Sequence, residues 1–294
     1  MEPQTNKKTL IVIAGPTAAG KTAISIELAK YLNTEIISCD SRQVYKELNI
    51  GVARPSEEEL QAVKHHLIAH RSIQDSYNAG LFADEANAIM DSLFHFNNYV
   101  VMTGGTGLYI KAATEGLDPL PTANEELRQK LKRSYETNGI SELQSLAKEL
   151  EINENEVDFN NVQRLIRAIE IKTSQHRTTK EKTENGYDTL YFYVNRDRTE
   201  LYNRINARVD TMMKASFEDE ARTVYPYRNL NALKTVGYNE LFSHFDGDTT
   251  LEEAVNKIKQ KTRNYAKRQL TWFRNQGDYI EVRPVLKEIL RHLP

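Results

Sequence analysis

The chain has one cysteine, Cys39, in 294 residues. That excludes an intrachain disulfide and any zinc site built on cysteine thiolates. No apolar run approaches the roughly 18 residues that span a bilayer, and the mean hydropathy of −0.61 is low. The opening residues Met-Glu-Pro-Gln-Thr-Asn-Lys-Lys hold no apolar signal region, so a cytoplasmic protein without membrane association is expected. Neither sign of charge dominates. The 39 Lys and Arg stand against 41 Asp and Glu, a net charge of −2 that does not by itself flag a nucleic-acid binder. Hydrophobic residues are not scarce: at 39% they support a core for one large or two modest domains.

Charge is uneven locally. Acidic residues are missing from Ala254 to Gly277, which holds Lys257, Lys259, Lys261, Arg263, Lys267, Arg268 and Arg274. A second basic patch holds Arg164, Arg167, Lys172, Arg177 and Lys180, with Glu170 and His176 among them. On composition alone such patches read as solvated helix faces, although the footprint for a polyanion looks the same.

Residues 15–22 read Gly15-Pro16-Thr17-Ala18-Ala19-Gly20-Lys21-Thr22 and meet G-x-x-x-x-G-K-[ST] at every fixed position. The apolar, partly β-branched run Thr9–Ala14 before it reads as a buried strand. After it, Ile24, Leu28 and Leu32 recur at the spacing of one helix face. Strand, glycine loop and helix in this order aim backbone N–H groups and a helix N-terminus at an anion. An ordinary glycine turn is the competing reading, and the full pattern in this context argues against it. In such a loop the lysine reaches outer phosphates and the threonine hydroxyl helps hold Mg²⁺. The motif specifies a phosphorylated ligand without saying which.

Three further short runs, 35–40, 99–103 and 189–194, read as strands. Alternating with helical stretches, they indicate an α/β fold with a mainly parallel sheet. Ligands of such sheets gather at the carboxyl ends of the strands, so Asp40, Thr103 and Thr106 are expected on one rim with the glycine loop. Residues 113–184 differ. They contain no convincing strand, and Leu127, Leu131, Leu143, Leu146, Leu150, Leu165 and Ile169 fall at helical spacing. A helical insertion over 113–184 is expected to divide the core into 1–112 and a mostly helical 185–294.

Asp40 is the sharpest remaining candidate. A carboxylate at a strand end beside a phosphate site can hold Mg²⁺ through water or act as a general base, or it can simply cap the next helix. An ordinary nucleotide hydrolase would usually carry a second acid at a strand end. The run at 99–103 ends without one, which weakens that reading. Gly104-Gly105-Thr106-Gly107 is a second glycine turn, with a plain tight turn as its alternative. Arg208 taken singly reads as a surface ion-pair residue, and His65-His66 have no third ligand in metal spacing. Arg263, Lys267 and Arg274 share a helix face beside an apolar face of Ala266, Leu270 and Phe273. Trp272, the single tryptophan, reads as core.

Together these segments resemble the tRNA dimethylallyltransferases, or isopentenyl-diphosphate:tRNA transferases, of bacterial type. The matching stretches are Gly15–Thr22, Asp40–Tyr45, Ile50–Pro55, His65–Ile68, Gly104–Tyr109, Asn161–Ala168, Arg208–Asp210, Val236–Tyr238 and Tyr265–Trp272. They run in the family's order through nearly the whole chain. The resemblance implies an α/β, P-loop NTPase-like core with an inserted all-helical domain that grips the anticodon stem-loop of tRNA. It implies transfer of a dimethylallyl group from dimethylallyl diphosphate to N6 of the adenine 3′ of the anticodon. A monomer is expected.

Carried over by motif, Gly15, Pro16, Thr17, Ala18, Ala19, Gly20, Lys21 and Thr22 would hold the diphosphate, with Mg²⁺ at Thr22. Arg208 would neutralise it from the other side, Asp40 would accept the N6 proton, and Thr106 would hydrogen-bond near the acceptor. Asp40, Ser41, Arg42, Gln43, Thr106, Arg128, Gln163, Arg164, Leu165, Ile166 and Arg167 would contact tRNA, and both basic patches become backbone contacts. The chain departs from the pattern in two places. Arg54 stands where the family usually has lysine, and Met212-Met213-Lys214-Ala215-Ser216-Phe217 replaces a stretch that often carries Gly-Leu. Three alternatives compete: an adenylate isopentenyltransferase acting on free nucleotide, a small-molecule P-loop kinase, and an RNA-binding module with a vestigial loop.

Overall fold

The computed structural model describes residues 7–117, 121, 124–174, 186–276 and 278–294. In chain order it holds β1 (Thr9–Ala14), α1 (Lys21–Leu32), β2 (Ile36–Cys39), α2 (Glu57–Ala62), β3 (His65–His66), α3 (Ala79–Phe94), β4 (Tyr99–Gly104) and α4 (Gly107–Thr114). Then come α5 (Glu125–Asn138), α6 (Ile140–Glu149) and α7 (Val162–Thr173). The remainder holds β5 (Asp188–Val194), α8 (Arg198–Lys214), α9 (Phe217–Val224), α10 (Tyr238–Phe245), α11 (Leu251–Asn275), β6 (Ile280–Val282) and α12 (Leu286–Leu290).

The strands form one six-stranded sheet in the order β3-β2-β4-β1-β5-β6. Every described pairing is parallel. All six residues of β1 are buried, because helices cover both faces of a parallel sheet. On one face Leu10, Val12 and Met102 pack with Phe82, Met90 and Phe273. On the other, Ile11, Ile13 and Val101 pack with Ile24, Leu28 and Phe192. The α/β, P-loop-like core is therefore the expected one. Two strands were not legible. β3 is a histidine pair, and β6 is three residues long, too short for an alternating pattern to register.

Chain contacts divide the molecule into two compact units, one comprising the sheet and its helices, the other the helices α5 to α7. The division falls between Gly116 and Leu117, a few residues beyond 112, because Ala113 and Thr114 close α4 and are buried on the sheet side. The helical unit has its own core of Leu131, Leu143, Ala147, Leu165, Ile166 and Ile169. Each of its helices begins with a recognisable device: Asn124 and Asn161 cap α5 and α7 through side-chain oxygens, and Gly139 turns α5 into α6. The far side of the expected insertion, 175–185, lies outside the described residues.

Candidate active site

The sheet order puts the ends of β2, β4 and β1 side by side, with Cys39, Gly104 and Ala14 level in the register. The segments leaving these strands therefore converge: Asp40 after β2, Gly105 and Thr106 after β4, and the loop 15–20 after β1. Gly15 is obligatory here. Its φ is +140°, and a Cβ would lie 2.6 Å from the carbonyl oxygen of Val194. α1 then opens at Lys21 with no side-chain cap, so its first N–H groups have no intrahelical partner. Thr17 is different, because its N–H donates to Gln269 Oε1 at 3.0 Å. The anion-facing donors are thus the later N–H groups of the loop and the start of α1.

Carbonyls of the loop are braced from outside. Arg196 Nε donates to Ala19 O at 2.7 Å, Arg204 Nε to Ala18 O at 2.8 Å, and Arg208 Nη1 to the Thr17 hydroxyl at 3.3 Å. Lys21 Nζ donates to Pro16 O at 2.8 Å. Burial pulls the Lys21 ammonium down to about 8, aided by Arg208 and opposed by the Asp40 carboxylate. Several cations thus crowd a site whose acids are Asp40 and Glu59. Such a site is poised for a polyanion.

A cavity of about 640 Å³ runs from this loop across the rim. Thr17, Ala18, Gly20, Lys21, Thr22, Asp40, Ser41, Arg42, Gln43 and Arg208 line it. Gly15, Pro16, Ala19 and Thr106 do not; they shape it from behind. Thr106 Oγ1 accepts the Ser41 N–H at 3.1 Å, so in this arrangement it positions Ser41 and does not face the cavity directly. Asp40 Oδ1 accepts the N–H groups of Arg42 (2.9 Å) and Gln43 (3.3 Å). It is both a turn cap and a carboxylate lining the cavity. Arg42 donates to the carbonyls of Asn231 and Ala232. The Gln43 amide spans Ser38 Oγ and the carbonyls of Val52 and Ala53.

Gln269 and Glu220 carry much of this geometry; Gln269 lies in the matching stretch Tyr265–Trp272 without a role read for it, and Glu220 had no sequence signal. Buried Gln269 bridges the Thr17 N–H and the Gly105 carbonyl (2.9 Å), tying the two glycine turns together. The Glu220 carboxylate accepts the N–H groups of Asn49, Ile50 and Gly51 and the Tyr238 hydroxyl. Arg54 Nη2 caps the carbonyls of Tyr45, Lys46 and Leu48, a fan of contacts that suits a guanidinium. His65 Nδ1 donates to Val63 O at 2.8 Å, and burial lowers its proton affinity. No cluster of three or more metal-ligating side chains occurs among the described residues.

The acid-free stretch proves divided. Lys259 pairs with Asp210 (2.5 Å), Lys261 with buried Glu240 (2.7 Å), and Arg263 with Asn206 (2.7 Å). Lys267 and Arg268 remain exposed. Trp272 is half-buried against the core.

In the helical unit, Gln163 and Arg164 are exposed. Leu165 and Ile166, in the same stretch, are not exposed. They are 0% and 6% exposed in the unit's core, because they lie on the apolar face of α7 with Ile169. Arg128 and Arg167 both pair with Glu170, which is 1% exposed. Burial pushes the Glu170 carboxyl up, but these arginines and the Asn124 N–H outweigh it and hold it below its ordinary range. Arg177, Lys180 and His176 lie outside the described residues.

A family model described as IPP transferase matches residues 43–276. A protein of Christiangramia forsetii named tRNA dimethylallyltransferase is 47% identical over 278 residues, covering 92% of this chain and 91% of that protein. Among solved structures, the full-length tRNA isopentenylpyrophosphate transferase of Bacillus halodurans superposes with a TM-score of 0.72 at 35% identity, covering 97% and 94% of the two chains. A Staphylococcus epidermidis tRNA isopentenylpyrophosphate transferase superposes at 0.70 with 31% identity, covering 97% of each. With the glycine loop, the Asp40 rim and the braced cations in one cavity, the chain belongs to the IPP transferase family.

Proposed function

We propose that the protein transfers a dimethylallyl group from dimethylallyl diphosphate to N6 of the adenine 3′ of the anticodon in tRNA. The carrying observation is one cavity that joins the cationic loop end to the Asp40 carboxylate, in a chain whose curated relatives are named tRNA dimethylallyltransferase.

In this reading the N–H groups after Thr17, with Lys21 and Arg208, hold the diphosphate. They stabilise the charge that grows on it as the allylic C–O bond breaks. The N6 lone pair forms the new C–N bond, the diphosphate departs with the electron pair of the C–O bond, and Asp40 takes the N6 proton. The adenine leaves its stack to reach the allylic carbon, at a lower cost for a loop base than for a paired one. Mg²⁺ fits the donors present. The Thr22 hydroxyl has no hydrogen-bond partner among the described residues, and Asp40 lies on the same cavity. So few protein oxygens suit an ion held chiefly by phosphates and water. When bound, the ion supplies charge neutralisation to the leaving diphosphate.

On the RNA side, Ser41, Arg42, Gln163, Arg164 and the exposed Lys267 and Arg268 offer contacts, while Arg128 and Arg167 act from their pairing with Glu170. A cytoplasmic monomer completes the reading. No helix among the described residues is long and apolar enough to cross a membrane.

The test is mass spectrometry of unmodified tRNA incubated with the protein, Mg²⁺ and dimethylallyl diphosphate, with AMP and ATP as parallel acceptors. A five-carbon gain on that adenine, lost in Asp40→Ala, is expected. Prenylation of free nucleotide instead would move the protein to the adenylate branch. ATP turnover without prenylation would refute the assignment in favour of a kinase.

A further inference from the structure

The cavity has an apolar wall that the motifs leave unexplained. Val52, Ala53, Val209, Met212, Phe217 and Val236 line it. Phe217 is the bulkiest of them and is 1% exposed. It opens α9 directly after Ser216, which sits in the left-handed region at φ +67°.

The ring is clamped. A Cβ on Gly51 would lie 2.2 Å from Phe217 Cε2, and a Cβ on Gly237 would lie 2.8 Å from its Cζ. Bare backbone therefore touches the ring from two sides. The Tyr238 ring meets it edge-on at 5.2 Å and 87°. The Tyr238 hydroxyl donates to Glu220 at 2.6 Å, and the same carboxylate accepts the N–H groups of Asn49 (3.1 Å), Ile50 (2.7 Å) and Gly51 (2.9 Å). Ring, glycines and carboxylate form one closed network. A wall packed this tightly does not swell for a longer guest.

We propose that Phe217 is a specificity-determining residue whose ring closes the apolar part of the cavity and limits the allylic donor to a five-carbon chain, excluding the ten-carbon homologue. The inference rests on the prenyl-transfer reading. A donor with a diphosphate head and a hydrocarbon tail needs a cationic end and an apolar end in one cavity, and both are present. Tyr265, Arg42 and Arg268 line the same cavity. Those basic and aromatic groups suit RNA, and the apolar wall at Phe217 suits the tail. The bonds broken and formed are the same for five- and ten-carbon donors, so the wall and not the chemistry sets the choice.

The experiment measures kcat/KM for dimethylallyl and geranyl diphosphate with the full-length protein and unmodified tRNA. It uses the wild type, Phe217→Ala and Met212→Ala. The geranyl-to-dimethylallyl ratio is expected to rise by about tenfold or more in Phe217→Ala, the scale on which pocket size discriminates hydrocarbon, and to rise also in Met212→Ala. If Phe217→Ala does not fold, Met212→Ala decides, since it widens the same wall. An unmoved ratio in every variant that folds overturns the proposal, as does a raised KM for tRNA with an unmoved donor ratio, which would give the wall to the base. A wild type that prenylates nothing refutes the prenyl-transfer reading itself. A wild type that transfers five carbons, with variants of unchanged ratio, refutes only the role of Phe217.

Discussion

Replacing Lys21 by methionine is expected to stabilise the unliganded protein while crippling its hold on diphosphate. The ammonium is pulled from 10.5 to about 8, which corresponds to about 3 kcal/mol of destabilisation for a fully desolvated charge. Lys21 keeps some contact with water, so about 1–2 kcal/mol is the reasonable gain on removing it, a rise of about 2–6 °C in Tm for a chain of this size.

The pH dependence has a definite sign. Below pH 8 lysine is protonated in both folded and unfolded chains, and the penalty is complete. As pH climbs from 8 towards 10.5 the folded lysine sheds its proton first, the penalty fades, and the wild type catches up with Lys21→Met. Differential scanning fluorimetry at pH 6.5, 8 and 9.5 reads that gap. Calorimetry with inorganic pyrophosphate reads the other half. Affinity should fall about 10- to 100-fold in the variant, and wild-type binding should weaken above pH 8 and take up a proton there. A variant less stable than the wild type at pH 6.5, or one with undiminished pyrophosphate affinity, would refute the reasoning.

Asp40→Asn keeps an oxygen for the N–H groups of Arg42 and Gln43 but removes the base. Single-turnover transfer should drop by about 10²- to 10⁴-fold with little change in Tm; a drop in Tm without a rate loss would leave Asp40 as a turn cap only. Gln269→Leu strands the Thr17 N–H and the Gly105 carbonyl, costing about 1–3 kcal/mol; melting temperature and pyrophosphate affinity should fall together. Glu170→Ala leaves Arg128 and Arg167 without their buried partner and should destabilise the helical unit by about 3 kcal/mol, at the lower end for a broken buried pair because both arginines touch water. Hydrogen exchange of the α7 amides measures it. In the wild type the same carboxyl lies below its ordinary 4.5, so its contribution is full above that pH and is lost as pH falls through the folded value. α7 protection that is indifferent to acid would contradict this.

Much of the site was legible because its parts are contiguous. The loop 15–22 needs glycines, lysine and threonine at set spacing, and a strand and helix on either side, all local properties. Asp40 could be ranked because it comes directly after an apolar run. The helical character of α5 to α7 was readable from leucines at a helix period. The motif did not show that Leu165 and Ile166 turn into the unit's core while Gln163 and Arg164 stay exposed, because a motif names neighbours in sequence and a helix sorts them by face. The strands β3 and β6 were missed because two or three residues pair only where a longer neighbour already offers an edge.

The sequence by itself determined the local chemistry: an anion loop, a carboxylate at a strand end, a helical insertion, and no cysteine framework. Tertiary structure alone decided which distant groups serve those parts. Gln269 reaches the loop across 252 residues and Glu220 holds Gly51 across 169. Lys261 and Lys259 are drawn into ion pairs, Lys267 and Arg268 are left exposed, and Phe217 is pinned between two glycines. Such partnerships have no period and no spacing, because they depend on where the packed sheet brings the side chains and not on where the chain orders them.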